Sequence, residues 1–165
     1  MPFSAPRHRR ASLLSTEIVN RSRVLDTLVN NIEGMAYRCR NDASWTMIFV
    51  SQGALGLCGY SAAELVDETH VTWERITHAD DRLRVRRCIE QAVAAVGRFC
   101  VHYRIRTASG ILKWVIERGV AVADEQGEIV VEGFIEDITA QRAILDALEQ
   151  AELRYRSIFE NASEG

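Results

Sequence analysis

Between Phe99 and Thr139 the chain passes through three alternating segments and then changes period within two residues, a succession that few folds accept. The run Phe99-Cys-Val-His-Tyr-Arg-Ile-Arg-Thr107 alternates apolar and polar side chains, the period of a half-buried strand. Ala108-Ser109-Gly110 is turn chemistry, so Ile111 to Glu117 returns antiparallel, and Val120-Ala-Val122 continues it. Asp124-Glu-Gln-Gly127 makes the next turn, and Glu128 to Ile135 is the third strand. After Thr139 the spacing is helical. A meander that hands its last strand directly to a helix is suited to passing strain from a sheet into a rod, and Asp137-Ile138-Thr139 is the place where that transfer is expected.

Upstream, the order of elements completes the sheet. Ser12 to Ile32 is helical, with Leu14, Ile18, Leu25, Leu28 and Ile32 in heptad spacing interrupted by Arg21. This helix packs either on its own domain or against a second subunit; the pattern leaves both open. Met35 to Arg40 and Trp45 to Val50 are strands joined by Asn41-Asp42-Ala43-Ser44. Gly-rich helical turns follow over 51–60. Ser61-Ala-Ala-Glu64 is a capping box that opens a short helix, and Thr72 to Ile76 is another turn. A longer helix is expected over Asp81 to Val96, with Leu83, Ile89, Val93 and Val96 buried and Asp80 or Asp81 capping it. Five antiparallel strands with helices gathered between them give an α+β fold, the helices on one sheet face. Because Met47 and Phe49 alternate with Ile48 and Val50, both faces of the sheet look apolar, and the 12–32 helix is the expected cover for the outer one.

The exit helix from Thr139 carries Ile144, Leu148, Ala151, Tyr155 and Ile158 at 4-3-4-3 spacing. A lone helix of that length is marginal in water, so a parallel two-stranded coil is expected. Phe159-Glu-Asn-Ala-Ser-Glu-Gly165 echoes Leu28-Val-Asn-Asn-Ile-Glu-Gly34, as though a second copy of the same domain began there.

A net charge of −3 argues against general affinity for nucleic acid or anionic membrane. Lys113 is the single Lys among 20 cationic side chains, and the Arg residues form no basic stripe. No apolar run is long enough to cross a bilayer, and the basic N-terminus has no apolar segment after it, so neither a membrane span nor a signal peptide is expected. Cys39, Cys58, Cys88 and Cys100 lack metal or dithiol spacing and read as reduced thiols of a cytoplasmic protein. Gly53, Gly56 and Gly59 lack the long helix of a phosphate loop, and His78, Asp80 and Asp81 read as helix-capping residues in preference to a metal cluster. The segment is therefore not expected to be an enzyme.

Met35-Ala-Tyr-Arg-Cys-Arg-Asn-Asp42, Trp45 to Ser51, Gly59-Tyr60-Ser61 with Glu64-Leu65, and His78-Ala79-Asp80-Asp81-Arg82 together resemble a PAS domain of bacterial sensor proteins. Tyr103-Arg-Ile-Arg, Gly110, Trp114-Val115, Arg118-Gly119 and Gly133 with Asp137-Ile138-Thr139 complete the likeness, which covers about 28–140. Ala79 departs from the family's usual Pro. Composition and spacing give a disordered N-terminus over 1–11, a helix over 12–32 and the start of a repeat at 159–165; the resemblance implies a PAS core over 33–138 and a signalling role for the helix over 139–158. It also implies a homodimer acting on an output domain of the same chain, a cyclic-di-GMP enzyme or a histidine kinase, with cyclic-di-GMP turnover favoured. Leu14, Ile18, Leu25, Leu28, Ile144, Leu148, Ala151 and Tyr155 are the interface candidates.

The family's cleft would be lined here by Phe49, Leu57, Leu83, Ile89, Tyr103, Ile105 and Trp114, with Tyr103 and Trp114 offering polar tips to a small ligand. These side chains filling the core is the alternative. Flavin-binding relatives carry an Asn-Cys-Arg-Phe-Leu segment that is absent here, and the long helix has no His to ligate haem. No cofactor is expected. A passive dimerisation spacer and a cofactor-bearing redox or gas sensor are the competing functions.

Overall fold

The structure, a computed structural model, describes the backbone of residues 7–66 and 71–163 and the side chains of 19–66 and 71–159. The chain divides at Glu33 into an N-terminal unit and a second unit from Gly34 onward. The first contains α1 (Arg7–Asn31). Its described part begins inside the expected disordered stretch 1–11. Leu25, Leu28 and Ile32 of the heptad series are exposed, whereas the side chains of Leu14 and Ile18 lie outside the described residues.

The second unit contains β1 (Met35–Arg40), β2 (Met47–Val50), α2 (Ala54–Cys58), α3 (Ala62–Leu65), α4 (Trp73–Ile76), α5 (Ala79–Ala94), β3 (Arg98–Arg106), β4 (Leu112–Ala123), β5 (Ile129–Asp137) and α6 (Thr139–Ser163). The five strands form one antiparallel sheet in the order β2-β1-β5-β4-β3. β5 thus lies at the centre, paired with the first strand on one side and with its sequence neighbour on the other. The core packs on one face. Met35, Tyr37, Cys39, Val101, Tyr103, Ile105, Val115, Val131 and Ile135 alternate inward from the strands, and Leu57, Leu65, Trp73, Val85 and Ile89 meet them from the helices.

Local signals act as their chemistry dictates. Ser61 Oγ accepts from the Glu64 amide while the Glu64 carboxylate accepts from the Ser61 amide, closing the capping box at α3. Gly59 ends α2 at φ 81°, a left-handed value that a β-carbon would strain. At α5, however, His78 is the N-cap, accepting from the Asp80 amide, and Asp81 is turned instead onto Arg104 of β3.

Two burial expectations are corrected. The β1–β2 register slips between Arg38 and Cys39, placing one extra residue in β2. Met47 and Val50 therefore both point inward, while Ile48 and Phe49 are exposed on the outer face. On α5 the buried apolar positions are Val85, Ile89 and Ala92; Leu83 is exposed because it lies off that face, and Val96 because it falls in the turn after the helix ends at Ala94. The exit helix also runs past 158 to Ser163, with no Gly or Pro before Gly165 to end it. No helix among the described residues is long and apolar enough to cross a membrane.

Candidate functional site

Two clusters concentrate the polar chemistry of the second unit. The first is the joint between β5 and α6. Asp137 Oδ1 accepts from the amide of Thr139 at 2.9 Å and from its hydroxyl at 2.6 Å, so one carboxylate oxygen caps the new helix. Thr139 Oγ1 in turn accepts from the Trp114 amide at 3.0 Å, and the Ile138 amide donates to the Trp114 carbonyl at 2.9 Å. The first turn of α6 is thereby tied to β4. Lys113 Nζ lies 3.1 Å from Asp137 Oδ2 and donates to the carbonyls of Gly56 and Leu57 at the end of α2. Burial pushes the Asp137 carboxyl up, but the Thr139 donors and Lys113 outweigh it and leave it below its ordinary value. The Trp114 ring lies under the Arg142 guanidinium, 3.9 Å from its centroid, adding a contact between β4 and α6.

The second cluster is inside the core. Glu117 of β4 is 3% exposed, and the phenols of Tyr37 and Tyr103 each donate to one of its oxygens, the latter at 2.6 Å. Trp73 Nε1 donates to the Tyr103 oxygen at 2.9 Å, extending the network to α4. Among the described residues Glu117 has no Lys or Arg partner. Burial raises its pKa, and the two phenol bonds offset this only in part, so the carboxyl stays neutral to higher pH than an exposed one. Burial followed by the charge of Glu117 raises both phenols, and the same two influences raise the Cys39 thiol. A cavity with about 10 Å³ of free space, enough for one water, adjoins this network and is lined by Tyr37, Cys39, Trp45, Trp73, Ile89 and Glu117 among others.

Tyr37 reaches Glu117 only by crossing β5. It does so over Gly133, where a β-carbon would stand 2.8 Å from the ring Cε1 and from the phenol oxygen. The absent side chain of Gly133 is thus what allows a residue of β1 to touch a residue of β4 across the strand that leads to α6.

The family model for the PAS fold matches residues 47–135. The chain belongs to the PAS family. Among solved structures, a sensory box histidine kinase/response regulator from Burkholderia thailandensis is similar at 26% identity and TM-score 0.60, covering 83% of this chain and 98% of that one. The N-terminal domain of a diguanylate cyclase with PAS/PAC sensor from Marinobacter aquaeolei shares the fold at 18% identity and TM-score 0.54, over 66% of this chain and 98% of that one. An uncharacterized protein of Sinorhizobium fredii is 31% identical over 91 residues, which are 54% of this chain and only 11% of that longer protein. The PAS domains it resembles are thus parts of signalling proteins.

Within this PAS core the seven expected cleft residues separate. Ile89 lines the cavity, Tyr103 joins the polar network, and Leu57 and Ile105 are buried in the surrounding core. Phe49 is 47% exposed and Leu83 61% exposed, so neither belongs to the cleft. Trp114 pairs with Arg104 in the β3–β4 register and points to the outer face, where it serves the α6 joint. Asp137 and Thr139 are hydrogen-bonded to each other, and Ile138 to the Trp114 carbonyl, at the β5–α6 joint. Glu117, Tyr37, Trp73 and Lys113 escaped sequence reasoning. A signal for Glu117 was present: it has the same parity as Val115 on a strand flanked by two others, where a carboxylate has no route to water.

Proposed function

We propose that this chain is the sensory and relay segment of a multidomain signalling protein. A change at the inner face of the sheet shifts β5, the Asp137-Ile138-Thr139 joint passes the shift into α6, and paired α6 helices of a homodimer carry it to an output domain. The observation that carries this reading is the joint itself, where a single carboxylate caps α6, binds Lys113 and, through Thr139, ties the helix to β4. The pairing of α6 is supported by its exposed Ile144, Leu145, Leu148, Leu153, Tyr155 and Ile158, an apolar series facing outward along the helix. α1 offers Leu25 and Leu28 to the same end.

For the output domain we favour cyclic-di-GMP turnover over a histidine kinase; both kinds of protein occur among the similar structures. The reading places the protein in the cytoplasm, in keeping with four free cysteines. It assigns no haem or flavin, and visible absorbance of the purified protein tests that directly. The near-filled core favours one second reading, a ligand-free dimerisation spacer.

The relay is tested in the full-length protein with Asp137→Ala and Leu148→Glu. Asp137→Ala is expected to uncouple output from stimulus, and Leu148→Glu to shift the sedimenting species from dimer toward monomer. Unchanged basal and stimulated output in Asp137→Ala sinks the relay. A wild-type protein that sediments as a monomer at high concentration sinks the dimer and the spacer together.

A further inference from the structure

Glu117 has an unusual position for a carboxylate. Asp81, another buried acid, is matched by Arg104 and Arg84. Glu117 is matched by hydroxyl groups alone, and a buried carboxylate without a countercharge is costly to ionise. Near it stand aromatic residues from three elements and a loop: Tyr37 on β1, Tyr103 on β3, Trp73 on α4, and Trp45 ahead of β2, whose ring also carries the Arg86 guanidinium 4.5 Å from its centroid. Tyr37, Trp45, Trp73 and Glu117 all line the same small cavity. Aromatic faces attract cations, and a carboxylate accepts hydrogen bonds from an ammonium group. A neutral occupant, water included, would leave the ionised carboxylate without a countercharge.

Resting on the sensory reading above, we propose that the cavity takes a small ammonium-type cation, with Glu117 as its counter-ion and the surrounding aromatic residues as its walls. The free space admits a water-sized ion such as ammonium as the structure stands; methylammonium requires the walls to part. On binding, Glu117 gives up its proton and the cation supplies the charge that the core lacks. The other ionisable groups facing Glu117 do not do so. Cys39 on β1 and Cys88 on α5 stay protonated thiols with raised pKa, like the phenols of Tyr37 and Tyr103. At the cavity wall, Arg82 of α5 is engaged by the carbonyls of Thr77 and Arg75, and Glu74 of α4 by Arg86. The binding event would also act where the relay begins, because Tyr37 lies between Glu117 and Gly133 of β5.

The test is thermal unfolding of the 165-residue chain with ammonium or methylammonium chloride against sodium chloride at equal ionic strength, with methanol as the neutral probe. A saturable rise in Tm with the ammonium salts is expected, tightening roughly tenfold per pH unit while Glu117 is neutral at rest, and absent in Glu117→Gln. An equal rise with sodium chloride or methanol, or one retained by Glu117→Gln, overturns the proposal. Should that variant not fold, calorimetry of the wild type in two buffers of different ionisation enthalpy decides: about one proton released per cation supports the assignment, and none overturns it. Failure here leaves the relay standing, because that reading is judged by output from Asp137→Ala and by sedimentation.

Discussion

Replacing Glu117 by Ala separates a structural carboxyl from an incidental one. The Tyr37 hydroxyl would lose its partner, and the Tyr103 hydroxyl would keep only the bond it accepts from Trp73. Each orphaned buried hydroxyl costs about 1–3 kcal/mol, and the void left by the side chain adds about 1–2 kcal/mol. The sum, about 3–8 kcal/mol, is a large part of the ~5–15 kcal/mol that holds a domain together. Glu117→Gln keeps one acceptor and adds a donor, much as the neutral acid does, and should cost less than about 1 kcal/mol at pH 7.

The two variants also differ in their response to pH. Because the folded-state pKa of Glu117 is raised, the folded protein holds this proton more tightly than the unfolded chain. Its contribution is complete below the ordinary carboxylate value of 4.5 and falls as pH rises through the window up to the raised value. Wild type should therefore lose stability relative to Glu117→Gln as pH rises above 4.5. Urea unfolding followed by tryptophan fluorescence measures all three proteins. Equal losses in Ala and Gln, or a wild-type-to-Gln difference that ignores pH, would refute the reasoning.

Two further outcomes are expected. Gly133→Ala places a β-carbon 2.8 Å from Tyr37 and from the Arg118 carbonyl, so it should destabilise the fold by about 2–4 kcal/mol through overpacking and a displaced phenol; a denaturation midpoint equal to wild type argues against the crossing. Arg104 hydrogen bonds, working against burial, hold the Asp81 carboxyl down to about 2, so its contribution is present above 3.8 and is lost as pH falls toward 2. Asp81→Asn should lower Tm at pH 7 and flatten the acid side of the stability profile, which Tm measured from pH 2 to pH 7 will check.

The sheet was legible because its signals are local. The strand alternation over 99–135 and the capping box at Ser61 hold in the structure within a residue or two. The faces were harder to read. A single extra residue in β2 reverses the parity of Phe49 relative to Met47, and nothing in Trp45-Thr-Met-Ile-Phe-Val50 announces the bulge. Leu83 and Val85 are both apolar, and only the packing of α5 decides which one turns inward. The core network was hidden for a different reason. Glu117 lies 80 residues from Tyr37 and 14 from Tyr103, and a carboxylate in a strand is ordinarily taken to face solvent. Asp137-Ile138-Thr139 could be read from the change of period, but its hold on Trp114 and Lys113 could not.

In the proposed relay, the length of α6 bears on how little movement the core would have to supply. Its 25 residues make a straight lever of about 37 Å. With the fulcrum at Thr139, a tilt of only about 5° sweeps the far end through roughly 3 Å. A displacement of about half an ångström one helical turn from the fulcrum thus becomes, at the tip, a step of roughly 3 Å, and the gearing is the ratio of the helix's length to that turn.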